Sequence, residues 1–429
     1  NISEEDFWKN SSIAKTISSL RIRGSYGQVG NFQGIGDFVS LNTFASGLYG
    51  TQPTLSFSNA GNTNLSWEKS NKLDVGFVAG LFNNRLNLEV TYYKSDINDL
   101  ILNEPQAPSR GVPGNSIAAN VGSMYNKGFE FSLGGTVLSN RDFSWSANFN
   151  ITTQKNEVTA LANNNADILV STAGSETVSI IRVGESIGSF YLVETKGINP
   201  ANGQRVFVQL IKDAAGNVTG TEDVQYNHAA ASANARWTRV SDGAVVRAAN
   251  QTADGQVFGP ALPKWFGGFD NTVRWKGLDF NMLLFFSGGN YVYNGTKAGL
   301  HDNRNWNNAK DALDRWTKPN DNAKWPRVVY NDNISNGSGI QISNNLEKGD
   351  FLKVRNITLG YSLPRTLIEK AKLSSVRVYV AAFNALTFTN YSGFDPEIQT
   401  NGNSNGAPSV DRNSTPMART FNFGLQVGF

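Results

Sequence analysis

The sequence predicts an all-β chain that forms a transmembrane, antiparallel, up-and-down β-barrel of about twelve strands. Three observations predict this class. Apolar and polar residues alternate strictly over many segments, which is typical of strands with one apolar and one polar face. Many segments are about ten residues or longer, as a tilted strand needs in order to cross a hydrocarbon layer. The connections alternate between short and long, as they do when turns lie on one side of a membrane and loops on the other.

The composition is compatible with this class and excludes several others. The 429 residues include 42 Gly, 9 Trp, 13 Tyr and 26 Phe, and they include no Cys. The absence of Cys removes disulfide scaffolds, thiolate metal sites and cysteine nucleophiles. The 38 basic and 35 acidic residues give a net charge of +3, which is too balanced for a nucleic-acid-binding protein. No apolar run approaches the roughly 20 residues of a membrane-spanning helix.

The alternating segments can be followed along the chain. The first clear hairpin joins residues 72–82 to residues 85–92 through an Asn83-Asn84 turn. The pattern recurs at 129–151, 269–286 and 421–429 and is weaker at 19–29, 177–183, 187–196, 350–363 and 375–388. The phase slips between Val354 and Ile357, which predicts a β-bulge. Trp67, Trp145, Trp265 and Trp275 stand near strand ends, where interfacial aromatic residues of a barrel belong.

The connections predict the orientation of the barrel. Short ones are expected near 82–85, 139–142, 184–186, 276–277 and 364–375. Long ones are expected near 30–65, 99–123, 157–176, 197–263, 289–349 and 389–418. If the long loops are extracellular, the last strand runs toward the periplasm and the C-terminus lies on the periplasmic side.

The residues also bear on two alternative interpretations, a soluble β protein and an enzyme. A soluble or surface glycan-binding β protein would explain the alternation, but not the rhythm of short and long connections.

The segment Gly184–Gly188 matches the G-x-S-x-G nucleophile elbow, but a strand rather than a helix follows it. The two His residues, His228 and His301, lie in long loops and far apart in sequence. We therefore expect no enzyme activity, no catalytic residue and no metal site.

Six phrases, taken in order along the chain, carry a family resemblance. They are LRIRGSYGQVGN (20–31), LSWEKSNKLDVGF (65–77), NKGFEFSL (126–133), FLKVRNITLGYSLP (351–364), VRVYVAAFNALTFTNYSGFDPE (376–397) and RTFNFGLQVGF (419–429). Together they resemble the C-terminal half of the SusC/RagA family. These proteins are TonB-linked outer-membrane transporters of Bacteroidetes-type bacteria, and the resemblance covers essentially the whole chain.

The resemblance implies a larger barrel of about 22 strands, of which this chain supplies roughly the last twelve. Residues 1–429 would then be the C-terminal portion of one barrel domain, and the signal, TonB box and plug would lie outside the chain. The implied partners are a SusD-like lipoprotein lid, TonB-ExbB-ExbD acting through the missing N-terminal part, the barrel-assembly machinery and outer-membrane lipid. The terminal Phe429 resembles the assembly signal that this machinery recognises.

The resemblance also bears on cofactors. Many relatives carry an aspartate- and glycine-rich stretch suggestive of a calcium loop in the region corresponding to 197–263. Here only Asp213–Asn217 remains, and it lacks the ligand spacing of a 12-residue calcium site. Calcium is therefore not supported, and no cofactor is expected.

The expected function is TonB-dependent import of a large nutrient, most favourably an oligosaccharide. An oligopeptide importer of the same family and a passive porin-like barrel remain as alternatives. Sugar rings stack on aromatic faces, and binding residues concentrate in loops, so the loop aromatics are the predicted substrate-binding residues. They are Trp237, Tyr291, Tyr293, Trp306, Trp316, Trp325 and Tyr330. The same side chains could instead fill small cores within the loops or contact a partner protein.

Overall fold

The computed structural model describes residues 1–32, 35–172, 176–228, 236–304, 306–402 and 406–429. The strands, in chain order, are β1 (Ile17–Asn31), β2 (Thr43–Tyr49), β3 (Gln52–Asn59), β4 (Glu68–Leu81), β5 (Leu86–Pro105), β6 (Ser116–Ser139), β7 (Phe143–Ala160), β8 (Ile168–Ser171), β9 (Thr177–Ile181), β10 (Ser189–Val193), β11 (Thr195–Ile198), β12 (Arg205–Lys212), β13 (Val218–Asn227), β14 (Arg236–Arg239), β15 (Val245–Val246), β16 (Gly255–Gly259), β17 (Trp265–Trp275), β18 (Leu278–Gly288), β19 (Tyr291–Asn294), β20 (Leu346–Lys348), β21 (Phe351–Ser362), β22 (Ser375–Thr389), β23 (Val410–Asp411) and β24 (Thr420–Gly428).

Helices in the described residues are short. The α-helices are α1 (Asp6–Lys9), α2 (Ala162–Asn165), α3 (Gln251–Asp254), α4 (Gly295–Leu300) and α5 (Arg365–Ile368). Turns of 3-10 helix cover Ile2–Glu4, Ser12–Lys15, Pro108–Arg110, Pro113–Asn115, Lys310–Leu313, Ser343–Asn345 and Glu369–Ala371. Within the described ranges, none of these helices has the length and apolar character needed to span a bilayer.

One large antiparallel sheet dominates the molecule. Its strand order is β1-β4-β5-β6-β7-β17-β18-β21-β22-β24, so its strands pair in the order in which the chain supplies them. This is the up-and-down arrangement that the alternating segments predicted. β1 and β24 form the two edges, and no pairing joins them among the residues that the structure describes.

The large sheet has ten strands rather than the expected twelve or so. The segments predicted at 177–183 and 187–196 form β9 and β10, which belong to a separate four-stranded sheet. Each of these two strands is only five residues long. At about 3.3 Å per residue such a strand cannot cross a bilayer core of about 30 Å. Most of their side chains are buried on both faces, which differs from the half-exposed strands of the large sheet.

Apart from one loop, the alternation of short and long connections survives this correction. The turn at 184–186 joins two strands of the small sheet, so the two long loops on either side of it become one insertion between β7 and β17. The loop expected at 99–123 is an exception: because β5 extends to Pro105 and β6 begins at Ser116, it is no longer than the short connection between Ser362 and Ser375. The bulge between Val354 and Ile357 is confirmed: the pairing of β21 with both neighbours shifts at Arg355.

The apolar residues of the large sheet share one face. A single cross-strand row begins at Ile22 and continues in register through Phe77, Val90, Phe131, Ile151, Gly267, Phe286, Leu352 and Phe388. Such adjacent apolar pairs are the unit of sheet stabilisation. β17 begins at Trp265 and ends at Trp275, and both rings belong to this apolar face at opposite ends of the strand. The face therefore has aromatic residues at both of its margins.

The opposite, polar face carries charged and amide side chains that bond across strands. Arg23 pairs with Glu89 and donates to Thr91 Oγ1 at 2.7 Å. Farther along the sheet, the Arg377 guanidinium bonds the Asp279 carboxylate, with Nε 2.8 Å from Oδ1. Alternation thus separates an apolar face from a polar, hydrogen-bonded one over the whole sheet.

Three of the long connections fold together into what we call the loop assembly, made of the described residues within 161–264, 289–350 and 390–419. It contains the β8–β10 and β16 sheet, a β11–β15 sheet and a small β19, β20 and β23 sheet. Its buried clusters join different loops: one includes Phe207, Trp237 and Ile342, and another includes Phe190, Tyr293 and Val410. A third cluster connects Val158, at the end of β7, to Ile181 and Ile187. These long loops are therefore an ordered layer with its own cores.

Candidate ligand-binding site in the loop assembly

Helix α4 separates two cavities of the loop assembly. Its N-terminus is capped by Asn294, whose side chain accepts a hydrogen bond from the Lys297 amide at 2.8 Å. Asn294 is also the last residue of β19, and the residue before it, Tyr293, is fully buried. The sheet of β19, β20 and β23 therefore holds α4 in place, and polar side chains from three loops converge on its two sides.

The first cavity, of about 330 Å³, has the exposed ring of Trp306 in its wall. Its polar lining comes from Asp302, Arg304, Asn307, Arg412, Asn413 and Glu176. The charged groups are already paired: Arg304 Nη2 lies 2.6 Å from Asp302 Oδ2, and Arg412 forms an ion pair with Glu176. The cavity thus combines an exposed aromatic ring with side-chain amides and with acidic and basic groups that are paired with one another.

The second cavity, of about 390 Å³, lies on the other side of α4. Glu347 accepts hydrogen bonds there from Lys297 Nζ at 3.1 Å and from the Ser392 hydroxyl and amide at 2.7 Å. His301 bridges the Lys297 carbonyl oxygen and Asp311 Oδ1, each at 2.8 Å. Phe394 also lines this cavity and is 79% exposed.

The carboxylates around α4 are held in their charged form. Burial alone would raise the pKa of Asp302, but the hydrogen bonds and charge of Arg304 outweigh it, so the pKa is lowered. Burial would likewise raise the pKa of Glu347, and the charge of Lys297 with the bonds from Ser392 lowers it instead. Groups that stay ionised at neutral pH can hold hydroxyl or amide groups by hydrogen bonds, but they are poor proton donors. These ionised side chains therefore suit the binding of a polar ligand.

The seven predicted loop aromatics fall into three groups. Trp237, Tyr293 and Trp325 are buried. Trp237 packs edge-on against Phe207, and Trp325 is covered by the His301 ring at a centroid distance of 3.5 Å. The alternative role, filling cores within the loops, is what the structure shows for these three. Their ring faces are not open to a ligand in this conformation, because the loops carry enough apolar residues to form cores.

The other four are more accessible. Tyr291 is half-buried against the cluster around Phe190, and Trp316 is half-buried with its Nε1 donating to the Pro200 carbonyl oxygen at 2.9 Å. Trp306 and Tyr330 are 65% and 74% exposed. Of the seven, Trp306 is the one that lines a cavity beside α4. A role for any of them in substrate binding stays a prediction.

Phe394 and the polar residues lining the cavities were missed by reasoning from the sequence. Phe394 stands in the 389–418 loop, and the rule that selected aromatic residues in the other long loops would have found it. Arg412 and Glu176 come from different loops, and nothing in their sequence positions predicts that they pair. Phe429, the predicted assembly signal, follows β24 and is 95% exposed.

The remaining motifs have structural surroundings of their own. Ser186 of the G-x-S-x-G segment donates to Asn156 Oδ1 at 3.3 Å and lies in the turn between β9 and β10. Asp213 accepts hydrogen bonds from the amides of Ala215 and Asn217 at 2.9 Å, which closes the turn between β12 and β13. In the part of the chain that the structure describes, no three His, Asp or Glu side chains are grouped to hold a metal ion.

Comparison with known proteins defines the class. The family model for the TonB-dependent receptor-like β-barrel matches residues 8–385. TonB-dependent receptor P3 of Formosa agariphila is 31% identical over 440 residues, covering 100% of this chain and 41% of the relative. TonB-dependent receptor SusC of Bacteroides thetaiotaomicron is 26% identical over 454 residues, covering 100% of this chain and 39% of SusC. The solved structure of the RagAB peptide transporter superposes with a TM-score of 0.76 at 28% identity, covering 100% of this chain and 42% of that one.

The chain therefore belongs to the TonB-dependent receptor β-barrel family, and its similarity to SusC and RagAB makes it a barrel of the SusC/RagA type. It spans about two-fifths of the length of the relatives it matches. The large sheet is part of an outer-membrane barrel, so its apolar face is the one turned toward lipid. The family consists of receptors and transporters.

Proposed function

We propose that the full protein imports a large, polar nutrient across the bacterial outer membrane in an energy-dependent way. The observation that carries this proposal is the loop assembly, an ordered layer with cavities beside α4 at the end of a barrel sheet of the SusC/RagA type. A passive pore would need a polar lumen, but it has no need for an ordered binding layer above it. Import through the family's mechanism would use TonB-ExbB-ExbD and a SusD-like lipoprotein lid.

The proposed cargo is an oligosaccharide. Support comes from the first cavity, where the exposed Trp306 ring stands beside Asn307, Asn413 and the Arg304–Asp302 pair. An aromatic face can cover the apolar side of a sugar ring while amides and paired charges take its hydroxyl groups. The similarity to SusC supports the barrel class, and it does not identify a particular sugar.

An oligopeptide is the second candidate cargo, and one observation favours it. The solved structure that this chain resembles at a TM-score of 0.76 is that of a peptide transporter. Ion pairs of both signs around α4 could also bind the amides and termini of a peptide. The proposed orientation is the same for both cargoes: the long loops are extracellular and the C-terminus is periplasmic.

Uptake by whole cells tests both the import function and the cargo. A strain lacking the gene is compared with one that carries it, using labelled oligosaccharide mixtures and labelled peptide mixtures as separate probes. We expect uptake of one class to be lost in the deletion strain and also after removal of TonB. Uptake that persists without TonB would contradict energy coupling and favour a passive pore.

A single substitution tests the site. In the complemented strain, Trp306→Ala is expected to weaken cargo binding by about 1–3 kcal/mol, because a stacked aromatic face is lost. Leu313→Ala is the matched control, since Leu313 is 70% exposed in the same loop and outside both cavities. Equal uptake by the Trp306 variant and the control would place the binding site elsewhere.

A further inference from the structure

Three lysines lie directly opposite one another on the lipid-facing side of the sheet. Lys94 of β5 pairs with Lys127 of β6, and Lys127 pairs with Lys155 of β7. Side chains directly opposite on neighbouring antiparallel strands have Cβ atoms about 5 Å apart. The three ammonium groups, which we call the lysine row, therefore form a short line that runs across the strands.

The lysine row stands at the margin of the apolar face. The next row toward the turn end of the sheet contains Val75, Tyr92, Phe129 and Thr153, and the Tyr92 and Phe129 rings are 5.2 Å apart. The row after that is the apolar one through Phe77 and Ile151. Two residues along a strand span about 6.6 Å, so hydrocarbon-type, aromatic and basic side chains follow one another over a short distance. This order matches the passage from acyl chains to headgroups.

The charges of the row are only partly compensated within the chain. Lys94 Nζ lies 2.8 Å from Asp96 and Lys155 Nζ lies 2.7 Å from Glu157, both on the side toward the long loops. Lys127 forms no ion pair with the residues that the structure describes, and its Nζ lies 4.8 Å from the Tyr125 ring centroid. Like charges directly opposite each other destabilise a sheet. An anion bound along the row would remove that cost.

Space for such an anion is present at one end of the row. Lys155 lines a cavity of about 430 Å³ together with Lys264, Ser186 and Ser189 and with the carboxylates Glu157 and Glu185. The cavity opens beside the part of β7 that extends past β17. Trp265, the first residue of β17, pairs with Thr153. A second basic side chain, Lys264, thus lies in the same cavity as the end of the lysine row, where Glu157 is already paired with Lys155.

We propose that the lysine row binds the phosphate headgroups of anionic lipids in the leaflet next to the long loops. The occupant is a lipid because the row belongs to the lipid-facing side and directly adjoins the aromatic residues. A dissolved cargo would have to reach this position from outside the barrel. Phosphate matches the chemistry, since lysine ammonium groups bind it as point charges and desolvated phosphate accepts several donors at once. The inference is independent of which nutrient is imported.

Lipid binding by the full-length protein tests the proposal. The purified protein in neutral detergent is titrated with phosphatidylglycerol or with phosphatidylcholine, and bound lipid is counted by native mass spectrometry. We expect the wild-type protein to prefer phosphatidylglycerol, with about fivefold in affinity contributed by each lysine. The variant K94Q/K127Q/K155Q is expected to lose the preference, and K94R/K127R/K155R is expected to keep it.

The control variant is K212Q/K310Q/K318Q, which removes the same charge from exposed lysines of the loop assembly. It should retain the preference for phosphatidylglycerol. The proposal is overturned if the Gln variant of the row binds phosphatidylglycerol as the wild type does, or if the control loses the preference equally. It is also overturned if millimolar inorganic phosphate displaces the bound lipid completely, because the row would then be a site for free phosphate.

Discussion

Asp254 shows how single buried residues hold the loop assembly together. Its carboxylate is fully buried and accepts hydrogen bonds from Arg247 Nη1 at 2.7 Å, from the Leu210 amide at 2.9 Å and from the Asn250 amide at 3.0 Å. These partners come from β12 and from the segment before α3. Burial alone would raise the pKa of Asp254, but the Arg247 guanidinium and the backbone donors lower it.

Replacing Asp254 by Asn is expected to destabilise the loop assembly by about 3–5 kcal/mol, because the buried carboxylate loses its charge pairing with Arg247. Protease cleavage within 161–264 of the full-length protein measures this. Asp213→Asn is the control, because Asp213 is exposed and closes only its own turn. Similar cleavage rates in the two variants would contradict the assigned role.

The lowered pKa also gives the pH dependence a direction. An unfolded Asp titrates near about 3.9, and the folded value lies below it. The contribution of Asp254 is therefore fully present above about pH 4 and is lost as the pH falls through the folded value. The D254N variant should lack this part of the acid sensitivity.

At the same scale, the loop aromatics mark where reasoning from sequence stops. The sequence singles out the aromatic side chains of the polar loops as substrate-binding candidates. Whether a given ring faces a cavity or a core depends on residues far away in the chain. Trp325 is covered by His301, and Trp237 by Phe207, and neither contact leaves a local pattern.

The strands of the large sheet were predictable because the alternation of apolar and polar residues within each strand identifies its two faces. The hairpins around Asn83-Asn84 and Lys276-Gly277 and the bulge at Arg355 were all confirmed. β9 and β10 were wrongly added to the barrel because short apolar strands of a small sheet carry a similar signal over five residues. Their burial on both faces is set by neighbouring loops, which a single segment does not reveal.

Charged side chains anchor the 390–419 loop to β21 of the large sheet. Lys353, on the polar face of β21, has a side chain that is only 4% exposed. Its Nζ lies 2.5 Å from Asp395 Oδ1 and also pairs with Glu397, both from the loop that follows β22. Arg355, the bulged residue, bonds the same Glu397 carboxylate at 2.5 Å. The bulge therefore allows two successive basic side chains to reach one loop.

Lys353→Met should release the 390–419 loop, since it leaves the buried Asp395 carboxylate without its cation. The expected loss is about 3–5 kcal/mol, measured as faster protease cleavage in that loop. The double variant K353M/D395N should recover part of the loss, because residue 395 is then uncharged and Glu397 keeps its ion pair with Arg355. Failure of the double variant to recover anything would show that the lysine acts by packing alone.

The whole molecule is organised by the continuous apolar face of the large sheet. At the β24 edge this face ends in Phe421, Phe423 and Leu425, each at least 60% exposed, and Phe429 follows at 95%. Apolar side chains in such numbers are stable only against lipid or neighbouring strands. The outer-membrane assignment and the exposed edge are thus consistent with one another.

Deleting Phe429 tests its predicted role in assembly. If the terminal aromatic is read by the barrel-assembly machinery, the deletion should lower the amount of protein in the outer membrane several-fold. Phe423→Ala is the control, because it removes a similarly exposed ring of the same strand and leaves the terminus intact. Normal outer-membrane levels after the deletion would refute the assembly role and leave lipid burial as the function of this ring.

The sequence by itself determined the class of this protein, the order of the barrel strands and the polarity of the two faces. It could do so because a strand in a membrane must show its apolar side at every second residue, and this information is local. Only the tertiary structure decided that the sheet has ten strands and that the loops of the loop assembly share buried cores. It also aligned three lysines on neighbouring strands. These features depend on register and on contacts between distant segments, which no local pattern specifies.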